Sequence, residues 1–119
     1  MRRLVFIAVV ALTLSPAAAQ ARSSYCSPSG DYCTGVLKKN GQVLLRISTF
    51  SFSGKYRLCV RAPSGRATCK SFTLTKTKMG IFASTKSWSK HFPSGGKGTY
   101  RVRWQKFGSN LGPRLSFSR

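Results

Sequence analysis

The sequence predicts an all-β domain: a small antiparallel sandwich of about seven strands, stapled by two disulfides. Three observations carry this expectation. Apolar residues recur with period two through most of the chain beyond residue 22. The cysteines form an even set of 4 behind an export-type leader. The chain contains no Glu and is rich in Ser, Thr and Gly, a composition that disfavours helices. With 119 residues, one small domain is the ceiling.

Residues 1–21 read as a secretory signal peptide, with cleavage near 19/20 or 21/22. Arg2 and Arg3 precede an apolar run from Leu4 to Leu14, followed by Ser15-Pro16 and the small residues Ala17, Ala19 and Ala21. The run falls well short of the roughly 20 residues that a spanning helix needs, so no transmembrane insertion is expected. The expected mature product is a secreted, extracellular domain of residues 22–119. Loss of Arg2 and Arg3 takes the formal charge from +20 to +18 and leaves Asp31 as the sole side-chain carboxylate.

Cys26, Cys33, Cys59 and Cys69 allow three pairings, and local spacing selects one. Pro63-Ser64-Gly65 makes a tight turn in which Gly65 can take the left-handed conformation, and a hairpin centred on Ser64 sets Cys59 opposite Cys69. The same register places Tyr56 against Phe72 and Val60 against Thr68 on one face, with Arg57, Cys59, Arg61 and Ser71 on the other. Cys26 then pairs with Cys33 around Ser27-Pro28-Ser29-Gly30. Neither pair has CxxC spacing, so no zinc or other metal is expected, and no cofactor.

The strand segments follow in chain order. Gly35–Lys39 and Gln42–Thr49 come first; in the second, Val43, Leu45 and Ile47 alternate with Leu44, Arg46 and Ser48. Lys55–Arg61 and Arg66–Leu74 form the disulfide-bearing hairpin. Gly80–Lys86 follows; Ser84 to His91 alternates only weakly, and Trp88 and Phe92, four residues apart, suggest a helical turn in that stretch. Phe50 and Phe52 break the parity set by Ile47, which implies a bulge or loop; core packing is the favoured reading of both rings. Thr99–Lys106 alternates cleanly, with Tyr100, Val102 and Trp104 facing inward and Arg101, Arg103 and Gln105 outward. Gly108 to Pro113 reads as a hairpin loop leading to a last strand, Pro113–Ser118.

Gly98-Thr99-Tyr100-Arg101-Val102-Arg103-Trp104, followed by a short connection and Leu115-Ser116-Phe117, resembles the last two strands of secreted bacterial immunoglobulin-like sandwiches. The resemblance implies an immunoglobulin-like architecture with Tyr100 at the tyrosine-corner position, buried and with its hydroxyl bonded to the preceding loop. The chain departs from the antibody pattern in that neither proposed disulfide links the two sheets. Copper-binding sandwiches of this kind use several histidines, and His91 stands alone here.

Enzyme chemistry is not expected. One His and one acid provide no carboxylate pair for glycoside hydrolysis and no paired histidines, and no Gly-rich phosphate loop opens a helix. Charge is the feature that selects partners. Arg46, Arg57, Arg61, Lys70, Arg101, Arg103 and Arg114 fall on strand segments and form the expected anion-binding set. Lys38, Lys39, Lys76, Lys78, Lys86, Lys90, Lys97 and Lys106 fall at strand ends or in loops, so positive charge is expected over most faces. Alternate outward residues lie about 6.6–6.8 Å apart, a spacing suited to repeated contacts along a polyanion. The expected partner is an anionic extracellular polymer or surface: a cell-envelope polymer, an acidic glycan, or nucleic acid bound without sequence preference. A cationic membrane-active protein and an accessory domain with no polymer ligand are the alternatives.

Overall fold

The computed structural model describes residues 22–119, and the leader expected at residues 1–21 lies outside the described residues. Nine strands and one helical turn follow in order: β1 Ser24–Cys26, β2 Tyr32–Lys39, β3 Gln42–Thr49, β4 Lys55–Arg61, β5 Ala67–Thr73, β6 Thr75–Lys76, β7 Phe82–Ser87, α1 Trp88–His91, β8 Thr99–Lys106 and β9 Ser109–Ser118. They form two antiparallel sheets, one of five strands ordered β1-β2-β3-β7-β6 and one of four ordered β5-β4-β8-β9. The β2-β3-β7-β6 and β5-β4-β8-β9 orders correspond to A-B-E-D and C′-C-F-G of an immunoglobulin-like sandwich. Both disulfides bridge directly opposed residues of neighbouring strands, Cys26 with Cys33 and Cys59 with Cys69.

Alternation builds the core. Val43, Leu45 and Ile47 of β3 point inward with Tyr56, Leu58 and Val60 of β4, Tyr100, Val102 and Trp104 of β8, and Leu115 and Phe117 of β9. Burial of these large apolar side chains, at about 25 cal/mol per Å² removed from water, is the principal force holding the sheets together. Trp88 packs edge-on to Tyr100 and Phe117, which stack on each other with centroids 5.0 Å apart. One buried polar contact crosses between the sheets: the Tyr56 hydroxyl donates to Ser84 Oγ at 2.8 Å. Burial raises the Tyr56 pKa above the ordinary 10.0, and the Ser84 bond partly offsets the rise.

Both disulfides have the expected partners, Cys26–Cys33 and Cys59–Cys69. Cys59 faces Cys69, Tyr56 faces Phe72 and Val60 faces Thr68 across the β4–β5 hairpin. Gly65, at φ 95°, donates its N–H to Ala62 O and closes the turn, while Gly30 donates to Ser27 O in the smaller loop. In that loop Ser29 Oγ accepts from Asp31 N and Ser27 Oγ accepts from Tyr32 N, so serines make the side-chain turn bonds. The pair of bridges suits an oxidising compartment.

The structure differs from the expected one in three places. The expected loop from Gly108 to Pro113 is a tight turn at Phe107-Gly108, and β9 begins at Ser109. A register shift between Val102 and Trp104 absorbs the extra residues, so Gly112 and Pro113 lie within the strand. Two short strands, β1 and β6, join the seven expected, each defined by its partner more than by its own pattern. Phe50 is exposed in the β3–β4 connection, contrary to core packing, while Phe52 is half-buried against the core.

The N-terminal segment ties the sheets together at one side. Arg22 O accepts from Ser116 N of β9, while Ser23 O accepts from Val36 N of β2. Here Gly112, at φ 74°, lies under Tyr25; a Cβ at this position would meet the Tyr25 ring at about 2.5 Å. Gly112→Ala is therefore expected to cost about 1–3 kcal/mol through left-handed strain and displacement of Tyr25, measured by urea unfolding.

Candidate anion-binding face

The outward face of the four-stranded sheet concentrates the guanidinium groups. On β4, Arg57, Cys59 and Arg61 point away from the core, and on β8 so do Arg101, Arg103 and Gln105. The register sets Arg61 beside Arg101, Cys59 beside Arg103 and Arg57 beside Gln105. Directly opposed residues on neighbouring strands lie about 5 Å apart, so Arg61 and Arg101 can both address one oxyanion. Arg114 on β9 adds a further guanidinium, placed by the bulge that lets Gly112 and Pro113 run on as strand.

Arg61, Arg101, Arg103 and Arg114 line an open depression of about 280 Å³ floored by the Cys59–Cys69 disulfide, with Gln105 and Asn110 closing one end. The disulfide cross-links β4 to β5 and offers no charge, so the arginines dominate the potential there. Gln105 Nε2 donates to Asn110 Oδ1 at 2.9 Å, which fixes both amides. Arg61 Nη1 donates to Gly65 O at 2.7 Å and is held to the hairpin turn. Arg103 is half-buried, and its Nε makes no hydrogen bond among the described residues. Beyond Gln105, a second shallow depression of about 230 Å³ includes Lys55, Arg57, Ser71 and Lys106 and extends the basic track along the sheet.

Two members of the expected set lie elsewhere. Arg46 is exposed on the outer face of the other sheet, where β3 pairs it with Gly35 and Thr85. Leu37, Leu44 and Ser48 share that face, with Lys39 at its end beside Gln42. Lys70 has the inward parity of β5, opposite Leu58, and emerges at the sandwich edge with its Nζ 6.0 Å from the Phe92 ring centroid. Gln105 and Asn110 were absent from the expected set. Gln105 carried an outward-parity signal, whereas Asn110 was hidden in what read as a loop.

The sandwich edge near Lys70 is a separate basic and aromatic cluster. Phe72 packs edge-on to His91 at 5.0 Å and lies 5.3 Å below Lys86 Nζ. Desolvation, followed by the charges of Lys86, Lys70 and Lys90, lowers the His91 pKa below the ordinary 6.5. Because the folded value is depressed, the folded state favours neutral imidazole. The resulting contribution is present above pH 6.5 and is lost as pH falls from there through the folded pKa. An NMR titration of His91 is expected to show a midpoint below 6.5, and Lys86→Met should move it upward.

Among the described residues no helix is long and apolar enough to cross a membrane. No protein-family model matches the sequence, and no curated protein does so significantly. The chain is similar to a solved structure, the crystal structure of a Br derivative of BhCBM56. The TM-score is 0.46 at 17% sequence identity, over 82% of this chain and 99% of that one. A TM-score under 0.5 is too low to transfer a ligand or a role.

Proposed function

We propose that this protein is a secreted, non-enzymatic module that binds extracellular anionic polymers through the arginine-bearing face of its four-stranded sheet. The supporting observation is the convergence of Arg57, Arg61, Arg101, Arg103 and Arg114 from three strands onto one outward face. Arg presents a planar fork suited to bidentate contact with carboxylate, sulfate or phosphate, whereas the lysines sit mostly at strand ends and turns. With a formal +20 and one acid in the whole sequence, the chain repels itself, and a polyanion relieves that repulsion. Contacts to charged oxygens repeated along strands select charge density over monomer identity, so cell-envelope polymer, acidic glycan and nucleic acid are all ligands on this reading.

A panel of purified cell-wall polymer, acidic polysaccharide, a neutral polysaccharide and duplex DNA, titrated at low salt, tests it. Binding to the three anionic polymers and none to the neutral one is expected. Absence of binding to every anionic polymer, or preference for the neutral glycan, overturns the proposal.

A further inference from the structure

The large exposed apolar side chains of the described residues are Phe50, Met79 and Phe107, exposed by 71%, 85% and 82%. They are scattered in sequence, yet the strand directions bring all three to one end of the sandwich. β2 starts and β3 ends there, since Tyr32 pairs with Thr49. Thr49 also pairs with Phe82 at the start of β7, so the β6–β7 turn carrying Met79 projects from the same end. In the other sheet Arg57, near the start of β4, pairs with Gln105, near the end of β8, which sends the Phe107-Gly108 turn out beside the β3–β4 connection. Phe107 packs edge-on to Phe52 of that connection at 6.2 Å, and Phe50 N donates to Asp31 O of the disulfide loop.

Charge at this end is also distinctive. Lys55, Lys76 and Lys78 are exposed around the three tips. Lys106 donates from Nζ to Ser53 O and Lys55 O, which holds its ammonium 4.8 Å from the Phe107 ring centroid. Asp31 is the one acid present. Exposed apolar tips ringed by ammonium groups do not suit self-association, because a second copy brings its own lysines to the contact. They do match the headgroup zone of an anionic bilayer, where rings and thioethers enter the acyl boundary and lysines meet lipid phosphates.

We propose that this end of the sandwich docks onto anionic lipid surfaces, with Phe50, Met79 and Phe107 inserting at the interface and Lys55, Lys76, Lys78 and Lys106 holding the headgroups. The docking end adjoins the arginine face at Lys55 and Lys106, while Arg61, Arg101, Arg103 and Arg114 line the depression further along the strands and stay free for a polymer.

Co-sedimentation with large vesicles of phosphatidylcholine and phosphatidylglycerol at 3:1, against pure phosphatidylcholine, reads the binding. The native chain is expected to bind the anionic vesicles. The triple substitution Phe50→Ser, Met79→Ser, Phe107→Ser should weaken it at least tenfold, while Arg101→Glu with Arg103→Glu should change it less than threefold. Equal binding by the triple variant, loss of vesicle binding only in the arginine variant, or a native dimer that the triple substitution dissociates each overturns the proposal. Insertion has its own readout, because Trp88 and Trp104 are buried. A Phe107→Trp variant should gain blue-shifted emission on the anionic vesicles and be quenched by acyl-brominated lipid. Emission unchanged by the vesicles contradicts insertion whatever becomes of polymer binding.

Discussion

Reversing Arg101 and Arg103 to Glu is expected to lower affinity for an anionic polymer by about 100-fold at low salt. The two side chains flank Val102 on one strand and both line the depression over Cys59–Cys69. Each charge-assisted contact to an oxyanion is worth about 1.5 kcal/mol at the lower end of the usual range, and tenfold in affinity corresponds to about 1.4 kcal/mol. Two lost contacts therefore give about two decades before the repulsion introduced by Glu is counted. If the polymer is duplex DNA, loss of two phosphate contacts should also reduce the slope of log affinity against log salt by about 1.8. Arg46→Glu, on the other sheet, is the matched control and should change affinity far less. Isothermal titration calorimetry at three or more salt concentrations measures both quantities; equal losses for Arg46→Glu and Arg101→Glu would remove the assignment to one face.

The largest expected effect on stability lies at Tyr100. Its ring is buried between Trp88 and Phe117, and its hydroxyl donates to Gly96 O at 2.6 Å while accepting from Gly95 N at 2.8 Å. The side chain thus pins the 95–98 segment to the core from which β8 starts. Tyr100→Phe removes both hydrogen bonds and leaves Gly95 N–H and Gly96 C=O to find other partners, for about 2 kcal/mol. Tyr100→Ala also empties the ring site and should cost about 3–5 kcal/mol. For a domain of this size total stability is about 5–15 kcal/mol, so the Ala variant should be largely unfolded in mild denaturant. Denaturant midpoints of the three proteins check the order; equal midpoints for Tyr100→Phe and the native chain would show that the corner bonds are replaceable by water.

Where alternation is unbroken, sequence and structure coincide to the residue. Gln42–Thr49, Lys55–Arg61 and Thr99–Lys106 are the strands β3, β4 and β8 with the same ends, because each has an inward apolar series that a one-residue slip would expose. The Cys59–Cys69 pairing followed from the same local logic, one turn and one register. Gly112 and Pro113 misled because they are ordinary loop punctuation, whereas here a bulge opposite Val102 and Trp104 accommodates them within β9. β1 and β6 have too few residues to show a period and exist as strands through their partners. Phe50 resembled a core residue by type, but the chain leaves β3 one residue earlier, after Thr49.

The arrangement of the candidate site was less legible for a topological reason. Outward parity identified Arg57, Arg61, Arg101 and Arg103 one strand at a time. That β4 and β8 are neighbours, which turns two rows of arginine into one patch, depends on a crossover that returns through β7 and α1. Lys70 and Arg46 fall away from the patch for simpler reasons. Lys70 shares its strand with Cys69 but has the opposite parity, and Arg46 belongs to the other sheet.

Arginine-specific modification with phenylglyoxal, mapped by mass spectrometry with and without saturating polymer, tests the assignment most directly. Protection confined to Arg57, Arg61, Arg101, Arg103 and Arg114, with Arg46 as reactive as in the free protein, is the predicted result. Protection of Arg46 equal to that of Arg101 and Arg103 would contradict a single binding face.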